Sequence, residues 1–308
     1  MTIKNPMNMQ KKVDLAAYSS FGISSLAREL ITVNNPTDLL TILNQFKKSG
    51  QEYRIMGAGS NLILPDKGIS ESVIRICGGN FINEKLFFMC DAGVLLSDLV
   101  EESISKNLTG LELLSGIPGT VGGAVVGNAG AFGKSISDTV EWVEIWEGEK
   151  VVTLTKKECF FSYRHSIFKE KKFVILKVKI KLDPNQKENL MEVSNNIIKL
   201  REEKYHPGIK CPGSFFKNIP LENADRELLS KIDHSQIKGG KIPAGYLLEE
   251  VGVRGIRMGD IQVANFHGNL LINSGKGKSS DVKKLASFLK RKVKNKFGIL
   301  LEEEVRYF

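Results

Sequence analysis

The sequence is poor in cysteine and histidine, and these two shortages exclude several classes of protein. Its 308 residues include four cysteines, none of them in a C-x-x-C pair, which argues against a disulfide scaffold or a cysteine zinc site. We therefore expect reduced thiols in a cytoplasmic protein. The four histidines lie far apart in the chain, so no metal site is predicted.

The sequence also lacks a convincing membrane span. Residues 113–133 carry no charge over 21 positions, but seven of those positions are glycine. A bilayer helix needs a sustained apolar surface, so this density of glycine indicates tight turns instead. Residues 1–12 are polar and lack the apolar region of a signal peptide. We therefore expect no export signal and no membrane partner.

Acidic residues are fewer than basic ones, and the net charge is +9. A basic protein favours anionic partners such as nucleic acid, phosphorylated metabolites or acidic lipids, without selecting one of them. Residues 283–296 are rich in lysine, but no nucleic-acid motif accompanies them. This run indicates a solvated helix face, and no nucleic-acid partner is predicted.

The chain does contain a clear succession of strand and helix signals. Apolar residues at helical spacing follow Asn35-Pro36 and stop at Gly50, which predicts a helix inside a small β-α-β unit. His206-Pro207-Gly208 is predicted to mark a domain boundary. Residues 239–263 are rich in turn signals. Strands are predicted at 28–33, 53–56, 73–77, 86–92, 140–146, 173–182 and 270–272, and further helices at 95–107, 186–204 and 280–297.

Two glycine-rich loops carry the strongest functional signal. The first, residues 57–61, departs from the fingerprint G-x-G-x-x-G because position 62 is leucine, and an ordinary turn explains it equally well. The second, residues 116–133, is far denser in glycine. Because each glycine costs conformational entropy on folding, this density predicts a backbone that approaches a flat or phosphorylated ligand.

Six motifs, in order along nearly the whole chain, resemble those of the UDP-N-acetylenolpyruvoylglucosamine reductase (MurB) family. One such motif would be weak evidence, but six in the same order make coincidence improbable. They are residues 57–62 (Gly-Ala-Gly-Ser-Asn-Leu), Gly110-Leu111-Glu112 with the loop 116–124, Asn128-Ala129-Gly130, Tyr163-Arg164-His165-Ser166, residues 213–218 (Gly-Ser-Phe-Phe-Lys-Asn) and residues 301–306 (Leu-Glu-Glu-Glu-Val-Arg).

The resemblance implies an α+β fold with a FAD-binding domain of the vanillyl-alcohol-oxidase type and a C-terminal α/β substrate domain. The FAD-binding domain would cover residues 1–204 in two lobes, about 1–75 and 76–204, and the substrate domain residues 205–308. The chain resembles the compact form of the family, which lacks an extra substrate-side insertion. FAD would be bound non-covalently by Gly57, Ala58, Gly59, Ser60, Asn61, Gly116, Ile117, Pro118, Gly119, Thr120, Gly122, Gly123, Ala124, Asn128 and Gly130.

The implied activity is reduction of the enolpyruvyl group of UDP-N-acetylglucosamine enolpyruvate to UDP-N-acetylmuramate, a step of peptidoglycan precursor synthesis. NADPH would reduce FAD, and reduced FAD would pass the hydride to the substrate. The implied partners are therefore NADPH and the UDP-sugar, and we expect a monomer.

The resemblance also implies three catalytic residues. Arg164 would hold the substrate carboxylate through a bidentate guanidinium contact and stabilise developing charge. Ser214 would donate the proton, which relies on placement because serine is a poor acid. Glu304 would assist by sharing a proton with the carboxylate. Further substrate contacts would come from Lys217, Asn218, His267, Asn269 and Arg306.

Other interpretations remain open from the residues alone. Ser214 could be a turn serine, Arg164 a surface ion-pair residue and Glu304 part of a solvated acidic terminus. A FAD-dependent oxidase of the same fold superfamily, acting on another substrate, would also contain the glycine loops. Ser214 and Lys217 also match the S-x-x-K motif of penicillin-binding enzymes. That pattern is common here, since it also begins at Ser103, Ser166, Ser235, Ser280 and Ser287.

The sequence departs from the family pattern at a few loops. The largest departure is Ile219, which separates Asn218 from Pro220 in a motif that the family writes without it. Ser24-Ser25 and Phe132 stand where the family usually has a glycine pair and a tyrosine. None of the three catalytic candidates is affected.

Overall fold

A computed structural model describes residues 8–186 and 189–308, which divide into two compact units. The first comprises Met1–Val13, Ala27–Gly59 and Ile69–Glu203, and the second comprises Asp14–Leu26, Ser60–Gly68 and Lys204–Phe308. Two short N-terminal segments therefore cluster with the C-terminal residues, which the sequence did not indicate. The division into domains at residue 204 stays a prediction.

The first unit begins with a four-stranded sheet in the order Asn8–Asp14, Leu26–Val33, Ile69–Ile76 and Tyr53–Met56. The last three strands are parallel. Helix α1 (Pro36–Ser49) connects two of them: its N-cap, Asn35, accepts a hydrogen bond from the Asp38 amide, and Gly50 ends it with a φ of 66°. The β-α-β prediction is thus correct in its elements, but the strand Ile69–Ile76 lies between its two strands.

A second sheet of the first unit has five antiparallel strands in the order Val151–Thr155, Val140–Trp146, Val174–Lys181, Phe87–Asp91 and Phe81–Glu84. Alternate residues from Leu176 to Ile180 of its central strand are buried in a continuous core. Helices α2 (Leu96–Ser105) and α3 (Val121–Gly127) pack their apolar residues into the same core. This core fixes the loops on either side of α3, which include the predicted cofactor loop.

The second unit contains short strands and three α-helices, α5 (Arg226–Ser230), α6 (Ala244–Glu250) and α7 (Ser279–Phe297). Arg257–Met258, Ile261–Val263 and Leu271–Asn273 form an antiparallel sheet, against which the long helix α7 packs. Asp66 caps α7, because its carboxylate accepts hydrogen bonds from the amides of Ser279 and Ser280 at 2.5 and 3.0 Å. The remaining α-helix of the described chain, α4 (Leu190–Lys204), belongs to the first unit except for its last residue.

Several short elements complete the two units. The paired two-residue strands are Leu62–Ile63 with Arg306–Tyr307, Leu108–Thr109 with Asp183–Pro184, Gly130–Ala131 with Lys134–Ser135, and Ile219–Pro220 with Lys241–Ile242. The 3₁₀ helices are Leu15–Tyr18, Glu112–Leu114, Ile136–Asp138, Lys157–Cys159, Ile167–Lys169, Leu221–Asn223 and His234–Gln236.

Three predicted elements differ from the structure. The stretch 113–133, predicted as tight turns, contains helix α3, and the turn-rich stretch 239–263 contains α6. Both helices have seven residues, too short for a clear apolar period. The helix predicted at 186–204 begins at Leu190, and residues 187–188 lie outside the described chain.

Two further absences hold for residues 8–186 and 189–308. No helix there is long and apolar enough to cross a bilayer. No group of three or more His, Cys, Asp or Glu side chains has the arrangement of a metal site. The four cysteines are free thiols.

Candidate active site

The two predicted cofactor loops meet in the first unit. A Cβ atom at Gly57 would lie 2.7 Å from Thr120 Oγ1, so no larger residue fits where the loops cross. Thr120 is buried and caps α3, because its Oγ1 accepts a hydrogen bond from the Gly123 amide at 3.2 Å. The two glycine-rich sequences, some sixty residues apart, therefore build one surface.

The glycines of the second loop divide into two groups. Gly122 and Gly130 are required by the protein itself, because a Cβ there would lie 2.9 Å from Ala92 Cβ and 2.4 Å from the Lys134 carbonyl oxygen. Gly123 is different: an added Cβ would meet only Thr120 Oγ1, at 3.3 Å. Since alanine is favoured over glycine inside a helix, the protein's own packing does not explain Gly123. A ligand that approaches the backbone would explain the glycine at position 123. This surface, formed by Gly57, Thr120 and Gly123 and called the cradle below, fits FAD.

The first loop continues into the second unit. Ser60 and Asn61 cluster there, and Asn61 makes two contacts with the C-terminal segment. Its Nδ2 donates a hydrogen bond to the Glu304 carbonyl at 3.1 Å, and its carbonyl accepts one from the Arg306 amide at 3.0 Å. Asn61, predicted to bind FAD, thus also fixes the backbone at the predicted acidic residue.

Arg164 occupies a strained turn in the first unit. Its φ is 55°, a left-handed conformation that residues with a Cβ rarely adopt. Ser162 and His165 close the turn with two backbone hydrogen bonds, and Arg164 Nη2 donates to the Gly130 carbonyl at 2.7 Å. Strain of this kind clusters at functional sites, and here it directs one guanidinium toward the glycine loop.

Two side chains connect that turn to α3. Asn128 ends the helix in a left-handed conformation, and its Nδ2 donates to the Ser162 carbonyl at 2.8 Å. Ser166 Oγ donates to the Val126 carbonyl at 2.7 Å. Because Asn128 Oδ1 also accepts a hydrogen bond from the Ser137 amide, both ends of this side chain contact the protein. The structure therefore gives Asn128 a positioning role, and its contact with FAD stays a prediction.

Ser214 lies in the second unit with two polar partners that the sequence did not indicate. Lys204 Nζ donates a hydrogen bond to Ser214 Oγ at 3.0 Å, and the Tyr205 hydroxyl lies 3.1 Å from the same oxygen. All three side chains are partly buried. Gly213, with a φ of 90°, makes the turn that precedes the serine.

Glu304 lies on the segment next to Ser214. The Glu304 amide donates to the Phe215 carbonyl at 2.8 Å, and the Lys217 amide donates to the Glu302 carbonyl at 2.9 Å. The other two glutamates of this run pair with lysines: Glu302 with Lys217, and Glu303 with Lys290 at 2.5 Å. The segment that carries Glu304 is thus hydrogen-bonded to the segment that begins with the predicted proton donor.

The predicted substrate contacts occupy different environments. Lys217 is held by Glu302, and Asn218 Oδ1 accepts a hydrogen bond from the Ala244 amide at the start of α6. Arg306 is exposed on a strand that pairs with Leu62–Ile63.

Ile219, the departure from the family motif, is buried and pairs with Ile242 in a short strand. The insertion is therefore absorbed by local strand pairing.

Asn269 is 2% exposed and holds the segment that follows Ser214. Its Oδ1 accepts from the Phe216 amide and its Nδ2 donates to the Phe216 carbonyl, each at 2.8 Å. Both ends of the amide thus bind the backbone two residues beyond the serine. This geometry makes Asn269 a positioning residue, and a direct substrate contact for it stays a prediction.

His267 is partly buried beside the same cluster. Its Nδ1 accepts a hydrogen bond from the Asn269 amide at 3.0 Å, which places the ring proton on Nε2. Burial, followed by the nearby ammonium of Lys204, lowers the pKa of His267 to about 4, against an opposing effect of the Glu249 carboxylate. The neutral ring packs so closely on α6 that a Cβ at Gly245 would lie 2.9 Å from its Cε1.

We expect His267 to stay neutral until the pH falls to about 4. Since its pKa in the folded protein lies below the unfolded value of ~6.5, the unfolded chain takes up the proton first as the pH falls. The free energy of unfolding should therefore decrease between pH 6.5 and about 4. NMR titration of the His267 Cε1 proton and urea unfolding across this range would measure both effects. His267→Gln should flatten that part of the pH dependence, and an NMR pKa near 6.5 would contradict the assignment.

The sequence indicated Ser214 and Glu304 but not Lys204 or Tyr205. The sequence pattern predicts Lys204 as the end of a helix and the residues after it as a break. Nothing in that pattern shows that the chain turns back and brings Ser214 next to Lys204, ten residues earlier. The FAD-binding roles of the other residues named from the sequence stay predictions: Ala58, Gly59, Ser60, Gly116, Ile117, Pro118, Gly119 and Ala124.

Two family models match the chain. Residues 205–308 match the C-terminal domain of UDP-N-acetylenolpyruvoylglucosamine reductase, and residues 27–153 match a FAD binding domain. The second match contains the crossing of the two glycine loops and the first contains Ser214 and Glu304.

Whole-chain relatives carry the same name. The UDP-N-acetylenolpyruvoylglucosamine reductase of Solibacter usitatus is 36% identical over 95% of this chain and 94% of its own length. That of Pseudothermotoga lettingae is 35% identical over 94% of both chains. Among solved structures, the enzyme of that name from Thermus caldophilus superposes with a TM-score of 0.75 and 31% identity, covering 98% of this chain and 99% of that one.

Proposed function

Because the chain belongs to the UDP-N-acetylenolpyruvoylglucosamine reductase family, we propose that it reduces UDP-N-acetylglucosamine enolpyruvate to UDP-N-acetylmuramate with NADPH as the hydride donor. Family membership confirms the resemblance found in the sequence, the α+β fold and the FAD-binding domain. It also makes the protein an oxidoreductase of peptidoglycan precursor synthesis. The substrate, the nicotinamide and the residue roles are the proposal.

One observation carries the proposal: the segments that hold Ser214 and Glu304 are hydrogen-bonded side by side within one unit. Reduction of an enolpyruvyl double bond needs a hydride at one carbon and a proton at the other. A hydroxyl and a carboxyl group on neighbouring segments can supply that proton and bind the substrate carboxylate. A flavin oxidase, which removes hydrogen from its substrate, has no comparable need for a proton donor.

Bound FAD would supply the hydride chemistry, and the chain's own side chains would supply binding and protonation. Arg164 would bind the substrate carboxylate and stabilise the negative charge that develops there. Ser214 Oγ would give its proton to the carbon next to that carboxylate. Glu304 would share a proton with the carboxylate, and Lys217, His267 and Arg306 would bind the rest of the UDP-sugar.

The direct test is a spectroscopic separation of the two half-reactions. The purified protein should show flavin absorbance, which NADPH should bleach in the absence of oxygen. Anaerobic addition of UDP-N-acetylglucosamine enolpyruvate should then restore it, with UDP-N-acetylmuramate as the product. If oxygen restores the absorbance rapidly and the UDP-sugar does not, the oxidase alternative is correct and the proposed function is wrong.

The cradle at Gly123 makes a separate prediction about FAD. Gly123→Leu places a side chain where the protein itself leaves space, so the protein should fold but bind FAD at least about tenfold more weakly, or ~1.4 kcal/mol. The flavin-to-protein absorbance ratio of the purified protein, together with flavin titration of the apoprotein, would measure the loss.

Gly122→Ala is the matched control for this experiment. Its Cβ would meet Ala92 within the core, so we expect a lower thermal midpoint even for the apoprotein. Full flavin occupancy in a folded Gly123→Leu protein would show that FAD does not lie against this helix.

A further inference from the structure

The environment of Ser214 Oγ explains how a weak acid could donate a proton. A serine hydroxyl has one donor hydrogen and two acceptor lone pairs. Lys204 can only donate, so it occupies one lone pair at 3.0 Å. When the Tyr205 hydroxyl also donates, at 3.1 Å, it occupies the second. The serine hydrogen then points away from both partners, toward whatever lies on the open side of Oγ.

We propose that Lys204 and Tyr205 are positioning residues that prepare Ser214 as the proton donor. The proposal rests on the proposed function. Lys204 stabilises the charge that the serine acquires when its proton leaves, and Tyr205 fixes the direction of the serine O–H bond. Neither residue belongs to the set of catalytic and binding residues that the sequence indicated.

The proton balance of this step is simple. The Ser214 O–H bond breaks and a C–H bond forms at the substrate carbon next to the carboxylate. The negative charge left on Oγ lies beside the Lys204 ammonium. Because a serine alkoxide is more basic than a lysine amine, a proton passes from Nζ to Oγ. Water then returns a proton to the amine, and both side chains regain their original state.

The position of Lys204 is well defined. It is the last residue of α4, and its Nζ also lies 5.1 Å from the centre of the Tyr205 ring. Its charge acts on the neighbouring groups as well, because it contributes to the low pKa of His267 and opposes the effect of burial on Cys211. An ammonium held in this way by its surroundings stabilises a nearby negative charge more than a mobile one does.

A thiol at position 214 reports the electrostatic environment without any turnover. In the flavin-containing Ser214→Cys protein, the Lys204 ammonium should lower the thiol pKa from ~8.5 to about 7.5 or below. The pH dependence of iodoacetamide alkylation, followed peptide by peptide with mass spectrometry, measures this value. Burial raises the pKa of Cys90 and Cys159 to about 12 and also raises that of Cys211, so these thiols react slowly. Cys77 is partly buried, and peptide mapping separates its alkylation from that of the thiol at position 214.

Three second substitutions in the Ser214→Cys protein identify the source of the effect. Lys204→Met should return the thiol pKa to ~8.5 or above, whereas Lys204→Arg should keep it low because the charge remains. Lys210→Met removes an equal charge from the same segment, but that side chain lies along Gly22, so the thiol pKa should not change. Glu304 and His267 are present in every protein compared. Differences in the thiol pKa therefore come from the substituted lysine.

In the protein with Ser214 intact, the two Lys204 substitutions should affect protonation of the substrate. Lys204→Met should slow substrate-dependent flavin reoxidation by at least ~10²-fold, and Lys204→Arg should recover much of that rate. Tyr205→Phe should lower the rate less and leave the thiol pKa of Ser214→Cys nearly unchanged. Circular dichroism and the thermal midpoint would verify that each protein is folded.

The outcomes separate the two proposals. A thiol pKa that is the same with Lys204 and with methionine would overturn the inference, whatever the enzyme's substrate. A thiol pKa that depends on Lys204, in a protein that does not reduce the UDP-sugar, would overturn the proposed function. A Lys204→Met protein that reoxidises with substrate at the unaltered rate would remove Lys204 from the protonation step.

Discussion

Ser214→Ala should slow substrate-dependent flavin reoxidation by ~10²- to 10⁴-fold, the range that a positioned general acid contributes. FAD binding and reduction by NADPH should change little, because neither needs this hydroxyl. Stopped-flow absorbance at the flavin band separates the two half-reactions. Ser214→Cys should restore part of the rate, since a thiol also donates a proton and its pKa of ~8.5 makes it the stronger acid.

Ser287→Ala is the control for that experiment. Ser287 also begins an S-x-x-K pattern, but it lies on the exposed side of α7, so this substitution should change neither half-reaction. If Ser214→Ala reoxidises with substrate at the wild-type rate, another acid donates the proton, and Glu304 on the adjacent segment would be the first to test.

Arg164→Lys should reduce the same half-reaction by at least ~10²-fold, by analogy with the loss of one charge-stabilising donor. Lysine keeps the positive charge but cannot form a planar bidentate contact with a carboxylate. It also loses the bond from Nη2 to the Gly130 carbonyl, which orients the guanidinium in this structure. Since both residues carry a Cβ, the backbone strain at a φ of 55° is the same in the two proteins.

The half-reaction with NADPH distinguishes a binding defect from misfolding in Arg164→Lys. We expect NADPH reduction at nearly the wild-type rate, and a raised KM for the UDP-sugar in addition to the lower kcat. Arg28→Lys, at an exposed guanidinium that pairs with the partly buried Glu29, is the matched control and should leave both half-reactions unchanged. Equal losses in both half-reactions of Arg164→Lys would mean that the turn itself has been disturbed.

Local sequence signals predicted the longer elements well. The strands Tyr53–Met56 and Val140–Trp146 have the predicted bounds, and α1 begins after Asn35 and ends at Gly50 as its capping residues indicate. These elements depend on hydrogen bonds and apolar spacing within a few residues. Such interactions are visible in a sequence because each partner is a near neighbour.

The short helices could not be predicted in the same way. Helix α3 contains three glycines in seven residues, and its intrinsic helix propensity is low. It forms because Val121 and Val125 are buried in the core and because Gly122 fits against Ala92. Helix α6 similarly depends on the fit of Gly245 against His267. Tertiary contacts of this kind outweigh propensity and leave no periodic signal.

The sequence predicted the residues of the candidate site that lie within the family motifs, and no others. Ser214 and Glu304 were identified from the family motifs, and the structure places their segments next to each other. The contact of Asn61 with Glu304 joins residues 243 positions apart, which no local pattern reveals. Lys204 and Tyr205 were missed because their role depends on the path of the chain after α4.

The pairing of Leu62–Ile63 with Arg306–Tyr307 also has a consequence for how the chain is made. A ribosome releases the first of these strands long before the second exists, so the second unit cannot close until synthesis is nearly complete. Contacts between residues far apart in the sequence slow folding. Until Arg306–Tyr307 is synthesised, the strand Leu62–Ile63 has no strand to pair with. The first unit, whose core lies within residues 31–190, can pack earlier. The completed arrangement of the Ser214 and Glu304 segments would thus be one of the last parts of the molecule to form.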